Sequence, residues 1–197
     1  MKTIHYNQAT YLTSAVMLSQ LPSDQGAEVA FMGRSNAGKS SAINAITTVG
    51  GLARASRTPG RTQMINFFEI DASRRLVDLP GYGFARAQPK IKARWQQLIT
   101  DYLETRESLV GLVMVMDSRH PLKPMDQTLI DWCVDFEVPL HILLTKADKI
   151  TNNIQKKTLF SVQHSVSQQQ NISVQLFSAL KKTGVDAARD KLNEWFG

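Results

Sequence analysis

The run Glu28-Val29-Ala30-Phe31-Met32 leads into Gly33-Arg34-Ser35-Asn36-Ala37-Gly38-Lys39-Ser40, and a helical apolar pattern follows to Ile46. No other stretch constrains the fold as much, because G-x-x-x-x-G-K-S between a strand and a helix is a phosphate-binding loop in its required context. Gly33 and Gly38 let the backbone turn tightly and approach phosphates without a Cβ in the way. The loop N–H groups and the N-terminus of the following helix then converge on an anion. Lys39 is expected to reach the β- and γ-phosphates, and the Ser40 hydroxyl to ligate Mg²⁺. The chain is therefore expected to bind a nucleoside polyphosphate.

The remaining chain reads as alternating strands and helices. Residues 64–70 and 74–78 form an expected antiparallel hairpin, and 109–116, 139–144 and 174–177 read as further strands. Helical periods run over 91–107, 123–136, 151–170 and 184–196. This alternation predicts an α/β fold: a mostly parallel six-stranded sheet with one antiparallel strand and helices on both faces. Residues 1–25 are expected to be an N-terminal extension packed on the domain formed by 26–197. Residues 47–63 have no clear period, and a loop that long inside a compact domain is usually functional.

Composition bounds the setting. Hydrophobic residues make up 43% and charged residues 20% of the 197, as in ordinary globular domains. The apolar run 109–116 is far too short to cross a bilayer, so no membrane insertion is expected. The N-terminus lacks an uninterrupted apolar segment of the signal-peptide kind. The single cysteine, Cys133, rules out an internal disulfide framework and reads as a core thiol, so a cytoplasmic location is expected. A net charge of +6 suits a polyanionic partner such as RNA and equally suits a dispersed basic surface.

In parallel sheets, ligands sit beyond the carboxyl ends of the strands. The loop 33–40, Asp78, 145–148 and 178–180 all end strands, so four scattered segments make one expected site. Asp78 is placed to hold a Mg²⁺ shell, usually through water, and Gly81 offers an N–H to a γ-phosphate. In Thr145-Lys146-Ala147-Asp148 the carboxylate accepts from N1–H and the exocyclic amino group of guanine, whereas adenine presents an acceptor there. Such a site rejects the wrong base strongly. The Lys146 stem is suited to lie over the purine, and the Ala179 N–H to meet guanine O6.

These motifs, in this order, carry a resemblance. Gly33–Ser40, Pro59-Gly60-Arg61-Thr62-Gln63 followed by Asn66-Phe67-Phe68, Asp78-Leu79-Pro80-Gly81-Tyr82-Gly83, Thr145-Lys146-Ala147-Asp148 and Ser178-Ala179-Leu180 resemble the EngB family of bacterial ribosome-biogenesis GTPases. That family lies in the TrmE-Era-EngA-EngB-septin-like class of P-loop GTPases. The resemblance covers nearly the whole chain, with weaker support from Thr13-Ser14-Ala15 and Leu21-Pro22. It implies a Ras-like G domain that hydrolyses GTP to GDP. The implied catalytic residues are Lys39, Thr62 and Gly81, and the implied metal ligands are Ser40, Thr62 and Asp78. Nucleotide contacts are implied for Gly33, Arg34, Ser35, Asn36, Ala37, Gly38, Lys39 and Ser40, then Gly60, Arg61, Thr62, Gln63 and Met64. Asp78, Leu79, Pro80 and Gly81 follow, then Thr145, Lys146, Ala147 and Asp148, and finally Phe177, Ser178 and Ala179. Residues 47–63 and 82–89 become the two switches, with Thr62 closing on Mg²⁺. The implied partners are the large ribosomal subunit or its precursor and its rRNA, with normal cell division and septation depending on the activity. No DNA sequence recognition is expected, and the chain is expected to be a monomer.

Two residues depart from the Ras pattern. Tyr82 stands where Ras-like enzymes carry the Gln that orients the attacking water, so slow intrinsic hydrolysis is expected. Thr145 replaces the base-recognition Asn, which removes an amide. Asn36 resembles the P-loop Asn of potassium-activated relatives, making K⁺ a candidate ion. Arg54, Arg57, Arg61, Arg74, Arg75, Lys90, Lys92 and Arg94 are expected to cluster around the switches, where contact with rRNA would follow the nucleotide state. His5, His120, His141 and His164 lack metal-ligand spacing, and Trp95, Trp132 and Trp195 read as core or helix-face residues. Two other readings stay open: a nucleoside or nucleotide kinase, which Asp148 opposes, and a non-hydrolytic GTP-gated binding module.

Overall fold

The computed structural model describes residues 3–54, 64–82 and 89–197, the side chains of 89–96 excepted. Among the described residues seven strands form one sheet: β1 (Thr10–Ala15), β2 (Ala27–Gly33), β3 (Ile65–Asp71), β4 (Arg74–Asp78), β5 (Leu109–Asp117), β6 (Leu140–Thr145) and β7 (Ile172–Leu176). Among the same residues five α-helices accompany them: α1 (Lys39–Thr47), α2 (Pro89–Thr105), α3 (Pro124–Asp135), α4 (Asn152–Ser165) and α5 (Val185–Phe196). The strand order is β1-β3-β4-β2-β5-β6-β7. β3 alone runs against the other strands, pairing antiparallel with β1 and with β4.

β6 is buried at every position and β2 at all but its first, because helices cover both faces of the parallel part. On one face Ala30, Met32, Met114 and Ile142 meet Leu98, Ile99 and Tyr102 of α2, Leu129 and Ile130 of α3, and Val162 of α4. Val29, Phe31, Val113 and Leu143 point to the other face, against Ile43 and Ile46 of α1 and Val185, Ala188 and Leu192 of α5. Alternate side chains of a strand pack two separate helix layers. Gly111 of β5 sits under Trp195 of α5, whose ring lies 2.5 Å from where a Cβ would be. Cys133 is buried on α3, and burial pushes its thiol up to about 12.

Three expectations change. The sheet has a seventh strand, β1, within the segment read as an extension. Its residues are largely exposed and only Ala15 is buried, so this edge strand shows no period-two pattern. It is held by backbone bonds to one neighbour. Helix α4 ends at Ser165 rather than running on to 170, and its closing Val166 N–H reaches Gln163 O. Arg74 and Arg75 open β4 at the end of the sheet opposite Asp78, because β4 runs parallel to β2. Arg74 pairs with Asp71. Arg75 joins Arg106 and the Tyr102 hydroxyl around the fully buried Glu28 carboxylate, at 2.7–3.0 Å. Their charges serve packing rather than a switch-proximal surface. Arg75 and Arg106 also donate to the carbonyls of Pro22, Ser23 and Gln25, tying the N-terminal segment down.

Candidate nucleotide-binding site

The loop after β2 is shaped by contacts that exclude side chains. A Cβ on Gly33 would lie 2.4 Å from the Val115 carbonyl oxygen of β5. Gly38, at φ 98°, turns the chain into α1, and its carbonyl accepts from the Ala42 N–H at 2.9 Å. Asn36 also takes the left-handed conformation, at φ 63°.

The segment after β4 is joined to this loop through the backbone. Leu79 N–H donates to Phe31 O (3.0 Å), Tyr82 N–H to Gly33 O (3.2 Å) and Ser35 N–H to Tyr82 O (3.0 Å). A Cβ on Gly81 would stand 3.0 Å from Gly33 O, a tight contact that glycine avoids as this backbone approaches the start of the loop. Leu79 and Pro80 are buried beside it. Lys39 forms an ion pair with Asp78, whose carboxylate is almost fully buried. Both line a cavity of about 330 Å³ together with Arg34, Ser35, Gly38, Ser40, Gly81 and Lys146. Ala37 is buried at the base of the loop.

Beside the side-chain oxygens of Ser35, Asn36, Ser41 and Asn66, that cavity wall carries the hydroxyl of Ser40 and one carboxylate, Asp78. Two hard protein oxygens suit a Mg²⁺ ion that takes its remaining ligands from phosphate and water. Among the described residues, no cluster of three or more His, Cys, Asp or Glu offers another metal site.

The end at which a base is expected is built on β6 and β7. The Thr145 hydroxyl donates to Ala37 O and also lies 3.1 Å from Met116 O, fastening the end of β6 to the phosphate loop. Thr145 thus links the two segments that would hold the base and the phosphates. Lys146, at φ 57°, extends across the loop to Asn36 O and to the Asp117 carboxylate (3.0 Å). Burial raises the Asp117 carboxyl, but hydrogen bonds from Arg119 and Lys146 outweigh it and hold the group well below the ordinary range. Asp148 accepts from the Ser178 hydroxyl at 2.6 Å, which lowers its pKa and holds it ionised. The Ala147 N–H donates to Phe177 O (3.2 Å), so the turn carrying Ser178 and Ala179 is registered against the end of β6.

All the expected site residues within the described part fall at this one edge. Met64 and Arg54 line the cavity. Gly60, Arg61, Thr62 and Gln63, with Arg57, lie outside the described residues, and the side chains of Lys90, Lys92 and Arg94 are likewise not described. Sequence reasoning missed Asp117 as the partner that orients Lys146. An acid closing a buried strand at the ligand edge was the available signal. It also missed Asn66, which lines the cavity and accepts from the Ser14 hydroxyl of β1.

Tyr82 takes an unexpected direction. Its side chain is buried on the α2–α3 face, and its hydroxyl donates to Asp126 of α3 at 2.7 Å. Burial, and then the Asp126 charge, push the phenol far up, so it stays a protonated donor.

Strand order, phosphate loop and strand-end segments together define a P-loop GTPase domain. A family model described as 50S ribosome-binding GTPase matches residues 28–146. The chain is 55% identical over 192 residues to "Probable GTP-binding protein EngB" of Coxiella burnetii (strain RSA 493 / Nine Mile phase I), covering 97% of this chain and 94% of that one. It is 51% identical to the protein of the same name from Escherichia coli O9:H4 (strain HS), over 100% of this chain and 94% of the relative. A crystal structure of a probable GTP-binding protein engB superposes with a TM-score of 0.68 at 22% identity, covering 86% of this chain and 98% of the other. Aquifex aeolicus Era bound to GDP and AlF4⁻ gives 0.66 at 17%, covering 88% and 57%; both likenesses bear on the fold alone. The chain belongs to the EngB family of GTP-binding proteins. Membership makes GTP and GDP its expected ligands and GTP hydrolysis its expected reaction. Among the described residues, no helix is long and apolar enough to cross a membrane.

Proposed function

We propose that this chain is a cytoplasmic, monomeric regulatory GTPase that hydrolyses GTP slowly and acts in assembly of the large ribosomal subunit, with normal division and septation depending on it. The observation that carries the reading is the joining of base and phosphate ends: Thr145 fastened to the phosphate loop at Ala37, with Asp148 held ionised beside Ser178. A carboxylate so placed favours guanine, and the family description favours a ribosomal partner.

In this reading residues 26–197 are the G domain and 1–25 its extension. Residues 33–40 cradle the phosphates, with Lys39 on the β- and γ-phosphates. Gly81, with its backbone against the loop, offers its N–H to the γ-phosphate. Ser40, Asp78 and Thr62 would hold Mg²⁺, which would neutralise phosphate charge when bound. Gly60–Met64 close over the nucleotide, and Lys146, Ala147, Phe177, Ser178 and Ala179 surround the base. Asn36 is the residue to test for K⁺. Slow turnover fits the burial of Tyr82, whose hydroxyl is committed to Asp126. That same feature favours a second reading, in which GTP orders a binding surface without being hydrolysed on the working timescale.

Co-sedimentation with ribosomal subunits, in GDP and in a non-hydrolysable GTP analogue, tests the first reading. Retention on the large subunit only with the analogue is expected; no retention in either state overturns the assembly role. Phosphate release stimulated by those particles separates a working GTPase from the binding module. Unstimulated turnover above about 1 s⁻¹ contradicts the slow-hydrolysis assignment.

A further inference from the structure

The outer face of α4 does not serve the nucleotide. Between Asp148 and Asp186 the chain has no acidic residue, while it carries Lys149, Lys156, Lys157, Lys181 and Lys182. All five lysines are exposed, and among the described residues Lys156, Lys157, Lys181 and Lys182 form no ion pair with a carboxylate. Helix α4 packs through Leu159 and Val162, so Asn153, Lys157, Phe160 and His164 follow one another up its opposite side at helical spacing.

Phe160 is 71% exposed, more than any other large hydrophobic side chain among the described residues. Its ring stacks with that of His164, one turn along, at 6.1 Å between centroids and 8° between planes. A single exposed apolar side chain is unremarkable. An aromatic platform flanked by two exposed lysines of its own helix, in a stretch of chain without acids, is a different combination, because it pairs a π-face with local positive charge. That combination suits an unpaired base stacked on a ring with its phosphates on neighbouring ammonium groups.

We propose that the outer face of α4, through Phe160 with Lys156 and Lys157, binds an unpaired segment of RNA. The inference rests on the RNA-bearing partner in the functional reading above and adds a second surface to it. β7, on which α4 packs, and the β3–β4 pair lie on opposite sides of β2 in the sheet order. The segments expected to act as switches flank β3 and β4. Contact of α4 with a short RNA is therefore expected to be equal with GDP and with the analogue, while retention on the subunit still requires the switch side.

The test uses the full chain with a labelled, unstructured RNA of about 12 nucleotides. Binding is measured between about 50 and 200 mM salt, in GDP and in the GTP analogue. Phe160→Ala is expected to weaken binding roughly tenfold, and Phe160→Leu nearly as much, while Phe160→Tyr restores it. Lys156→Gln with Lys157→Gln is expected to reduce the slope of log K against log salt by about 1.4. Because these residues are exposed, unchanged melting and nucleotide affinity certify the variants. Equal binding by wild type and Phe160→Ala, or Leu serving as well as Tyr, overturns the proposal.

Large-subunit co-sedimentation, run in parallel, keeps the two readings apart. Wild type retained and Phe160→Ala lost from the subunit, with oligonucleotide binding unaffected, would assign the face to a protein and overturn RNA stacking. Phe160-dependent oligonucleotide binding without subunit retention would uphold this inference and overturn the ribosomal reading.

Discussion

Single side chains decide how this site is held together. The Tyr82 hydroxyl bonds to Asp126, which also accepts from the Lys123 N–H at the start of α3. Tyr82→Phe should lower stability by about 1–3 kcal/mol, since a buried charged acceptor loses its donor. GTP turnover should hardly change, because Tyr82 does not line the cavity; melting curves and phosphate release together check this. His141 is buried, with Nδ1 at 2.7 Å from Ser173 Oγ and Nε2 at 2.9 Å from Gln175 Oε1, and burial lowers its pKa below 6.5. The folded state therefore binds fewer protons than the unfolded one between the folded pKa and 6.5, and stability should fall as pH drops through that window. Melting temperatures at pH 7.5 to 5 should decline, and a His141→Gln variant should show a shallower decline.

Packing between elements depends on close approaches that a residue scan would not reveal. Gly111→Ala places a methyl group 2.5 Å from the Trp195 ring, so the ring, or α5 with it, must shift off β5. A loss of roughly 1–3 kcal/mol is expected, read from chemical denaturation. Around Glu28, two arginines and a tyrosine bring α2, β4 and the chain before β2 together. Glu28→Ala leaves buried guanidinium groups without their carboxylate and should cost about 3–5 kcal/mol. Protease cleavage within 22–25 should rise in that variant, since the same arginines hold those carbonyls. At this scale the sequence was legible wherever burial was one-sided or complete: α5 and the strands β2, β5 and β6 read correctly. It was poorly legible at β1, whose exposed residues carry no alternation. At Arg74 and Arg75 proximity in sequence to Asp78 hid the fact that a strand's two ends lie far apart.

For the molecule as a whole, binding is the first property to test. Lys39→Ala removes the ammonium that meets Asp78 in the cavity and should reduce GDP and GTP affinity by at least tenfold, read by calorimetry, with ADP weak in both proteins. What the sequence determined by itself is the set of strand-end motifs and their order. The loop glycines, Lys39, Asp78 and Asp148 are legible because each is demanded by a short-range rule of backbone geometry or charge. What only the tertiary structure decided is how those groups are oriented and connected. Thr145 joins the end of β6 to the loop 33–40, Asp117 steers Lys146, Tyr82 turns into the α2–α3 layer, and Phe160 is left bare beside Lys156 and Lys157. The reason is physical: motifs are local in the chain, whereas hydrogen-bond partners, burial and the face a side chain presents are set by contacts between residues far apart in it.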